Sequence, residues 1–255
     1  MTGIIIFGSA GRMGGAVYEA LVSSGAHLAG VDQPDIDNNR RRDPPPRVPL
    51  EQLARGGGDV IIDFTSPDVL EENLWAAQVA KKPIVIGTTG LTDSHHAIID
   101  RAARSIPVLW SANMSLGVNL LAALVKDAAS RLSVEWDIEI LEMHHRHKVD
   151  APSGTALMLG DAAAAGRGID LDGAKVTVRD GITGERQYGD IGFATLRGGS
   201  VAGDHQVIFA AEGERLELGH RAEGRVIFAR GAIKAAQWLV GKEPGRYTMA
   251  QVLGL

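Results

Sequence analysis

Residues 142–155 read EMHHRHKVDAPSGT, so three histidines, an arginine and a lysine fall within five positions and Pro-Ser-Gly-Thr follows at once. Ser153 is a natural helix N-cap, and a helix starting there would leave the backbone N–H groups of its first turn, Gly154 to Ala156, outside the i to i−4 ladder. Such a helix end attracts anions. Lys148 adds a full positive charge and the Thr155 hydroxyl a further donor. The donor set suits a carboxylate, held beside imidazoles whose ordinary pKa fits them to move a proton. Successive strand residues face opposite sides, so His144 and His145, at the end of the alternating run VEWDIEILEMHH, cannot both be core residues. Two other uses compete. Three histidines can bind zinc, although the chain has no cysteine and no HExxH spacing. The segment can also be a solvated basic turn.

A second group of residues suits a nucleotide. The loop GSAGRMGG, running from Gly8 through Ser9, Ala10, Gly11, Arg12 and Met13 to Gly15, has the spacing G-x-x-G-x-x-G and stands between an apolar run and a helical pattern. Glycines there permit a tight turn and close approach of a pyrophosphate to the helix N-terminus. Asp32, about twenty residues past the loop, ends the next apolar run and can bind both ribose hydroxyls, which favours NADH over NADPH. A helix cap or loop acid is the alternative use of that residue. Arg40, Arg41 and Arg42 are either a solvated charge run or a partial counter-charge for a 2′-phosphate. Gly87-Thr88-Thr89-Gly90 and Ser111-Ala112-Asn113-Met114 follow two further apolar runs, where small polar residues suit a nicotinamide and its ribose or form ordinary turns.

Short β-branched runs position these loops. IIIF at 4–7, HLAGVD at 27–32, DVIIDF at 59–64, and the starts of PIVIGTTG and IPVLWSAN read as strands. Helical patterns lie between them, with Ala16, Val17, Ala20 and Leu21 on one face before Gly25, and another from about Pro67 to Lys81. Alternation of this kind predicts a parallel sheet with right-handed crossovers. The segment 33–49 is rich in proline, asparagine and charge, and reads as an exposed loop. After Asn113 the pattern changes. A long amphipathic helix, LGVNLLAALVKDAASRL, leads into VEWDIEILEMHH, then the helix TALMLGDAAAA, then AKVTVRD, GFATLRGG, HQVIFAAEG and ERLELGHRA as strands of a mixed or antiparallel sheet. The last thirty or so residues return to helix and are expected to pack on the first domain. The predicted fold class is α/β, a Rossmann-type parallel-sheet domain of residues 1–114 completed by 225–255, plus an α+β mixed-sheet domain of residues 115–224.

Composition excludes several classes. With 26 Lys+Arg against 31 Asp+Glu, the net charge of −5 gives no general attraction to nucleic acid. The absence of cysteine removes disulfides and thiol catalysis. MTGIIIFGSAGRMGG has no signal-peptide pattern, and no run reaches the ~18 apolar residues of a membrane span. A soluble cytoplasmic protein without membrane or nucleic-acid partners is expected.

GSAGRMG, DFTSP, GTTG, SANMSLGVN, EMHHRHKVDAPSGTA, GFATLRGG and GERLELGHRA occur in the order found in the 4-hydroxy-tetrahydrodipicolinate reductase family, which the chain resembles over nearly its whole length. HHRHK-x-DAPSGT is far more specific than the glycine loop. The resemblance implies reduction of 4-hydroxy-tetrahydrodipicolinate to tetrahydrodipicolinate with NADH or NADPH, in the diaminopimelate route to lysine. It implies that His144 donates and accepts the catalytic proton, that Lys148 is a second proton donor, and that His145, Gly154 and Thr155 bind the dicarboxylate, with Ser153 counted in the same site. Gly8 to Met13, Asp32, Gly87 to Thr89 and Ser111 to Met114 match the nucleotide contacts. A homotetramer built through the mixed sheets is also implied. The two groups of site residues fall in different domains, so closure is expected to bring them together, and no metal is expected. Gln33, Met114 and Ser66 stand where many relatives carry an arginine, an aromatic and an arginine, respectively. Both cofactors are expected to work, with NADH modestly favoured.

Two rival readings share parts of this pattern. Another nicotinamide-dependent dehydrogenase of a small amino or keto dicarboxylate needs the glycine loop but not DAPSGT after the histidine pair. A non-catalytic nucleotide-sensing module needs no proton donors in the second half.

Overall fold

The computed structural model describes residues 1–31 and 57–255. Asp32, Gln33 and Arg40–Arg42 lie outside the described residues, as does the 33–49 loop. The chain divides into two compact units, one of residues 1–116 with 225–255 and one of residues 117–224.

In the first unit the apolar runs become β1 (Ile4–Phe7), β2 (Leu28–Val31), β3 (Val60–Asp63), β4 (Ile84–Ile86) and β5 (Pro107–Trp110). All pair in parallel, in the order β5-β4-β3-β1-β2. Both faces are covered, so the strands are almost wholly apolar, the exception being Asp63 at the end of β3. Ile4, Ile6, Val60, Ile62, Val85 and Leu109 face α1 (Arg12–Ser24) and a C-terminal helix, while Ile5, Phe7, Ile61, Ile84, Ile86 and Val108 face α2 (Leu70–Ala80) and α3 (Asp93–Ala102). A single 3-10 turn at Pro67–Val69 precedes α2.

The second unit contains α4 (Leu116–Arg131, entering from the first), β6 (Asp137–His144), α5 (Gly154–Arg167), the short α6 (Leu171–Ala174), β7 (Lys175–Val176), β8 (Ile191–Arg197), β9 (Gly203–Ala211) and β10 (Glu214–Ala222). The five strands run in the order β10-β9-β6-β8-β7, parallel across β6, β8 and β7 and antiparallel across β6, β9 and β10. Ile138, Ile140, Ile191, Phe193, Val207 and Phe209 pack one sheet face against α4 and α5. Strand β6 alternates strictly from its first residue. Val134, expected within it, precedes it and is 52% exposed. Of AKVTVRD, only Lys175 and Val176 pair.

The C-terminal segment returns to the first unit. Helix α7 (Val226–Leu239) buries Ala229, Ala232, Ala235, Ala236 and Leu239 against the parallel sheet. The chain is not helical to the end, as the sequence suggested. Gly245–Tyr247 forms β11, a sixth parallel strand beside β5, before α8 (Met249–Leu253). Three residues supply too little pattern to read as a strand, and its pairing with β5 is a long-range contact.

Candidate active site

The parallel sheet aligns the nucleotide loops by a backbone ladder at its carboxyl edge. The N–H of Phe64 donates to Phe7 O, that of Gly87 to Asp63 O, and that of Ser111 to Ile86 O. Gly8, Phe64, Gly87 and Ser111 therefore leave four successive strands, β1, β3, β4 and β5, side by side, where parallel sheets bind ligands. The glycines are sterically required. A Cβ on Gly14 would stand 2.1 Å from the Gly8 carbonyl oxygen, and one on Gly87 would stand 2.1 Å from the Phe64 ring. Gly8 has φ +78°, and a Cβ there would meet the Phe64 carbonyl oxygen at 2.5 Å.

Helix α1 starts at Arg12 with Gly11 as N-cap, no side-chain cap and no acid in its first turn, so its donors and partial positive charge point outward. Ala10, Gly11, Arg12, Thr89 and Ala112 are exposed, whereas Ser9, Thr88, Ser111 and Met114 are buried. The Trp110 indole donates to Thr88 O at 3.1 Å, which ties the two later loops together. Ser111 Oγ donates to Asn113 O at 2.7 Å, and Asn113 Oδ1 accepts from Ser115 N at 2.8 Å, closing the 111–115 turn. Buried Thr88 Oγ1 has no partner among the described residues. A glycine cradle, a bare helix start and an unsatisfied hydroxyl at one sheet edge fit the diphosphate and polar groups of NAD(P)H. Asp32, assigned to the ribose, lies outside the described residues.

In the second unit the inner sheet face changes character along β6. Past Ile138 and Ile140 the same face presents Glu142 and then His144. Register sets Glu142 between Thr195 of β8 and His205 of β9, and His144 beside Arg197. Glu142 is 1% exposed and His144 8%. Glu142 Oε2 lies 2.6 Å from His144 Nδ1. Arg197 grips both carboxylate oxygens, at 2.8 and 2.9 Å, and Ser153 N donates to Oε1 at 3.1 Å. Burial alone would raise the Glu142 pKa, but Arg197 and His144 hold it below the ordinary value, so the carboxylate stays charged. Burial lowers the pKa of His144, against the pull of Glu142, while Lys148 and Arg197 push it down further.

Helix α5 begins against this row of side chains. Ser153 is its N-cap and its Oγ accepts from Ala156 N at 3.1 Å. The same Oγ is 3.0 Å from His205 Nε2. His205 is 5% exposed and stacks edge-on to His144, and burial first, then the charge of His144, brings its pKa down to about 4. Gly154 is exposed and Thr155 half-buried on the first turn. Lys148 Nζ pairs with Asp150 Oδ1 at 2.8 Å, and Arg197 Nη2 donates to Asp150 O at 2.6 Å, which anchors the 145–150 turn. His145 is half-buried, and its Nδ1 has no hydrogen-bond partner among the described residues.

The unit thus brings His144, Lys148, Ser153, Gly154 and Thr155 to one end of its sheet. Sequence reasoning missed Glu142, Arg197 and His205. Glu142 was legible, since a residue two before a strand histidine shares its face. The other two come from strands paired far along the chain. No cluster of three or more potential metal ligands exists among the described residues.

Comparison with known proteins bears on both units. Residues 2–114 match the family described as Dihydrodipicolinate reductase, N-terminus, and residues 117–253 the one described as Dihydrodipicolinate reductase, C-terminus. The chain belongs to the dihydrodipicolinate reductase family. It is 55% identical over 251 residues to the 4-hydroxy-tetrahydrodipicolinate reductase of Zymomonas mobilis, covering 98% of this chain and 96% of that one. Identity to the reductase of the same name from Rhodopseudomonas palustris is 50% over 264 residues, covering 99% and 97% of the two chains. Its fold is that of a dipicolinate-bound dihydrodipicolinate reductase from Paenisporosarcina, with a TM-score of 0.77, 24% identity and 98% coverage of both chains.

Proposed function

We propose that this chain reduces 4-hydroxy-tetrahydrodipicolinate to tetrahydrodipicolinate with NAD(P)H, the reaction for which its relatives are named, in the diaminopimelate route to lysine. One observation carries the reading beyond family membership. A buried, carboxylate-paired imidazole and a lysine stand beside a helix start with no acid in its first turn.

The net change replaces a ring hydroxyl by hydrogen, so a hydride and a proton are taken up and water leaves. Bound NAD(P)H supplies the hydride. His144 holds and moves the proton at Nε2, and Lys148 is a second proton donor. His145, Ser153, Gly154 and Thr155 hold the carboxylates, by N–H and hydroxyl donors at the start of α5. In the first unit Gly8, Ser9, Ala10, Gly11, Arg12 and Met13 cradle the diphosphate. Asp32 takes the adenosine ribose, and Gly87, Thr88, Thr89, Ser111, Ala112, Asn113 and Met114 surround the nicotinamide end. On this reading the first unit is the dinucleotide domain and the second the substrate and tetramerisation domain. NADH is modestly favoured, because Asp32 repels a 2′-phosphate and Gln33 offers no charge to offset it. The homotetramer uses the outer face of the mixed sheet, where Leu141, Met143, Leu196 and Ile208 are not fully buried. The protein works in the cytoplasm, where reduced nicotinamides are maintained.

The test is turnover of substrate generated enzymatically in the cuvette, with NADH and NADPH compared. Substrate-dependent oxidation of both, faster with NADH at limiting concentration, is expected. Oxidation of neither by a folded protein would sink the proposal.

A further inference from the structure

We infer that Glu142, clamped by Arg197, is a positioning residue that fixes the His144 ring with its proton on Nδ1 and leaves Nε2 as the atom that exchanges protons with substrate. This deepens the proposed reductase reading and rests on it.

Three observations combine. Glu142 is acceptor-only when ionised, and its Oε2 sits 2.6 Å from Nδ1, so the Nδ1 proton has one place to go. Arg197 holds both oxygens of that carboxylate and Ser153 N caps one of them, which fixes its plane and keeps it charged in a buried site. On the far side of the ring the backbone is pared away. Gly203 lies beside Nε2, and a Cβ there would stand 3.0 Å from it. Other charged or titratable groups around the ring are Lys148 from the turn, Arg197 from β8 and His205 from β9. The two cations have no acceptor, and His205 meets the ring edge-on with its Nε2 3.0 Å from Ser153 Oγ, so Glu142 is the partner of the Nδ1 proton.

In the proton step the Nε2–H bond of the imidazolium breaks and its electron pair stays on Nε2. The proton bonds to the substrate atom made electron-rich by hydride addition, and solvent later restores it. The ring is left as the Nδ1–H tautomer, already hydrogen-bonded to Glu142, so no reorientation is needed. The same relation of carboxylate to imidazole orients the base in hydrolytic triads.

Two measurements test this. Long-range proton–nitrogen NMR of the unmodified protein, with the His144 signal assigned by its loss in His144→Asn, is expected to show a protonated Nδ1 and a bare Nε2 above neutral pH. A protonated Nε2 would overturn the inference, whatever the protein's turnover. In Glu142→Gln the loss of charge lowers the His144 pKa. The limb of kcat that falls with rising pH is then expected to move down by about one unit or more. kcat above neutral is expected to drop at least tenfold, with KM for substrate little changed, and Glu142→Asp to recover part of the shift. A lower kcat with the limb unmoved in a folded Glu142→Gln protein would mean that Glu142 is only structural.

Discussion

Lys148 and His144 sit in different surroundings, yet the loss of either is expected to act on turnover. Lys148 pairs with a half-exposed Asp150, whereas His144 is enclosed by Glu142 and His205. Replacing either by alanine is expected to cut turnover by a factor on the order of 10²–10⁴, the usual cost of a lost general acid. NADH binding, titrated by fluorescence, is expected to survive in both, because the contacts proposed for it belong to the first unit. Thr155→Val keeps the shape of the α5 start but removes a donor. It is expected to weaken a planar pyridine dicarboxylate by about 1–3 kcal/mol, measured by calorimetry on the NADH complex. Unchanged affinity would put the anion elsewhere. Asp32→Asn is expected to narrow or reverse the proposed preference for NADH, since on that reading repulsion of the 2′-phosphate would disappear while a hydrogen-bonding side chain remained. The ratio of kcat/KM for the two cofactors, in wild type and variant, decides this.

At the scale of elements, what could be read in advance was what is local. The strand–glycine loop–helix unit is continuous in sequence, and its spacing, apolar run and helical period agree. Its closest approach gives a direct test. Gly14→Ala would drive a Cβ to 2.1 Å from the Gly8 carbonyl oxygen, so the loop must open. NADH affinity is expected to fall at least tenfold while calorimetric binding of the pyridine dicarboxylate persists. The start of α5 was legible for the same reason, since Ser153 caps three residues ahead at Ala156. The partners of Glu142 and His144 on the neighbouring strands were not. Arg197 reaches Glu142 across 55 positions, and His205 reaches Ser153 across 52. Only the register of β8 and β9 against β6 makes them neighbours, and no periodicity encodes register between distant strands. Strand β11 escaped likewise, as a three-residue partner of β5.

For the whole molecule, the buried histidines tie stability to pH. His205 titrates near 4 in the folded protein, below the ordinary histidine value, and His144 is lowered in the same direction. The unfolded chain therefore takes up their protons first, so their contribution to stability is complete above about pH 6.5 and declines as pH falls toward 4. His205 alone accounts for about 3 kcal/mol over that window. Urea unfolding at neutral and acid pH should show the decline, with a shallower one in His205→Gln. An equally steep decline in that variant would assign the effect to other groups. Family membership settles the kind of enzyme, and the arrangement around His144 says how its second unit can handle a proton. The most direct test follows the atoms. With NADH deuterated at both C4 positions and ordinary water, the tetrahydrodipicolinate formed is expected to carry one deuterium per molecule. The other incoming hydrogen should be solvent-derived, and His144→Ala should slow formation without changing the label. Product free of deuterium, or no substrate-dependent product at all, would contradict hydride transfer to the dicarboxylate.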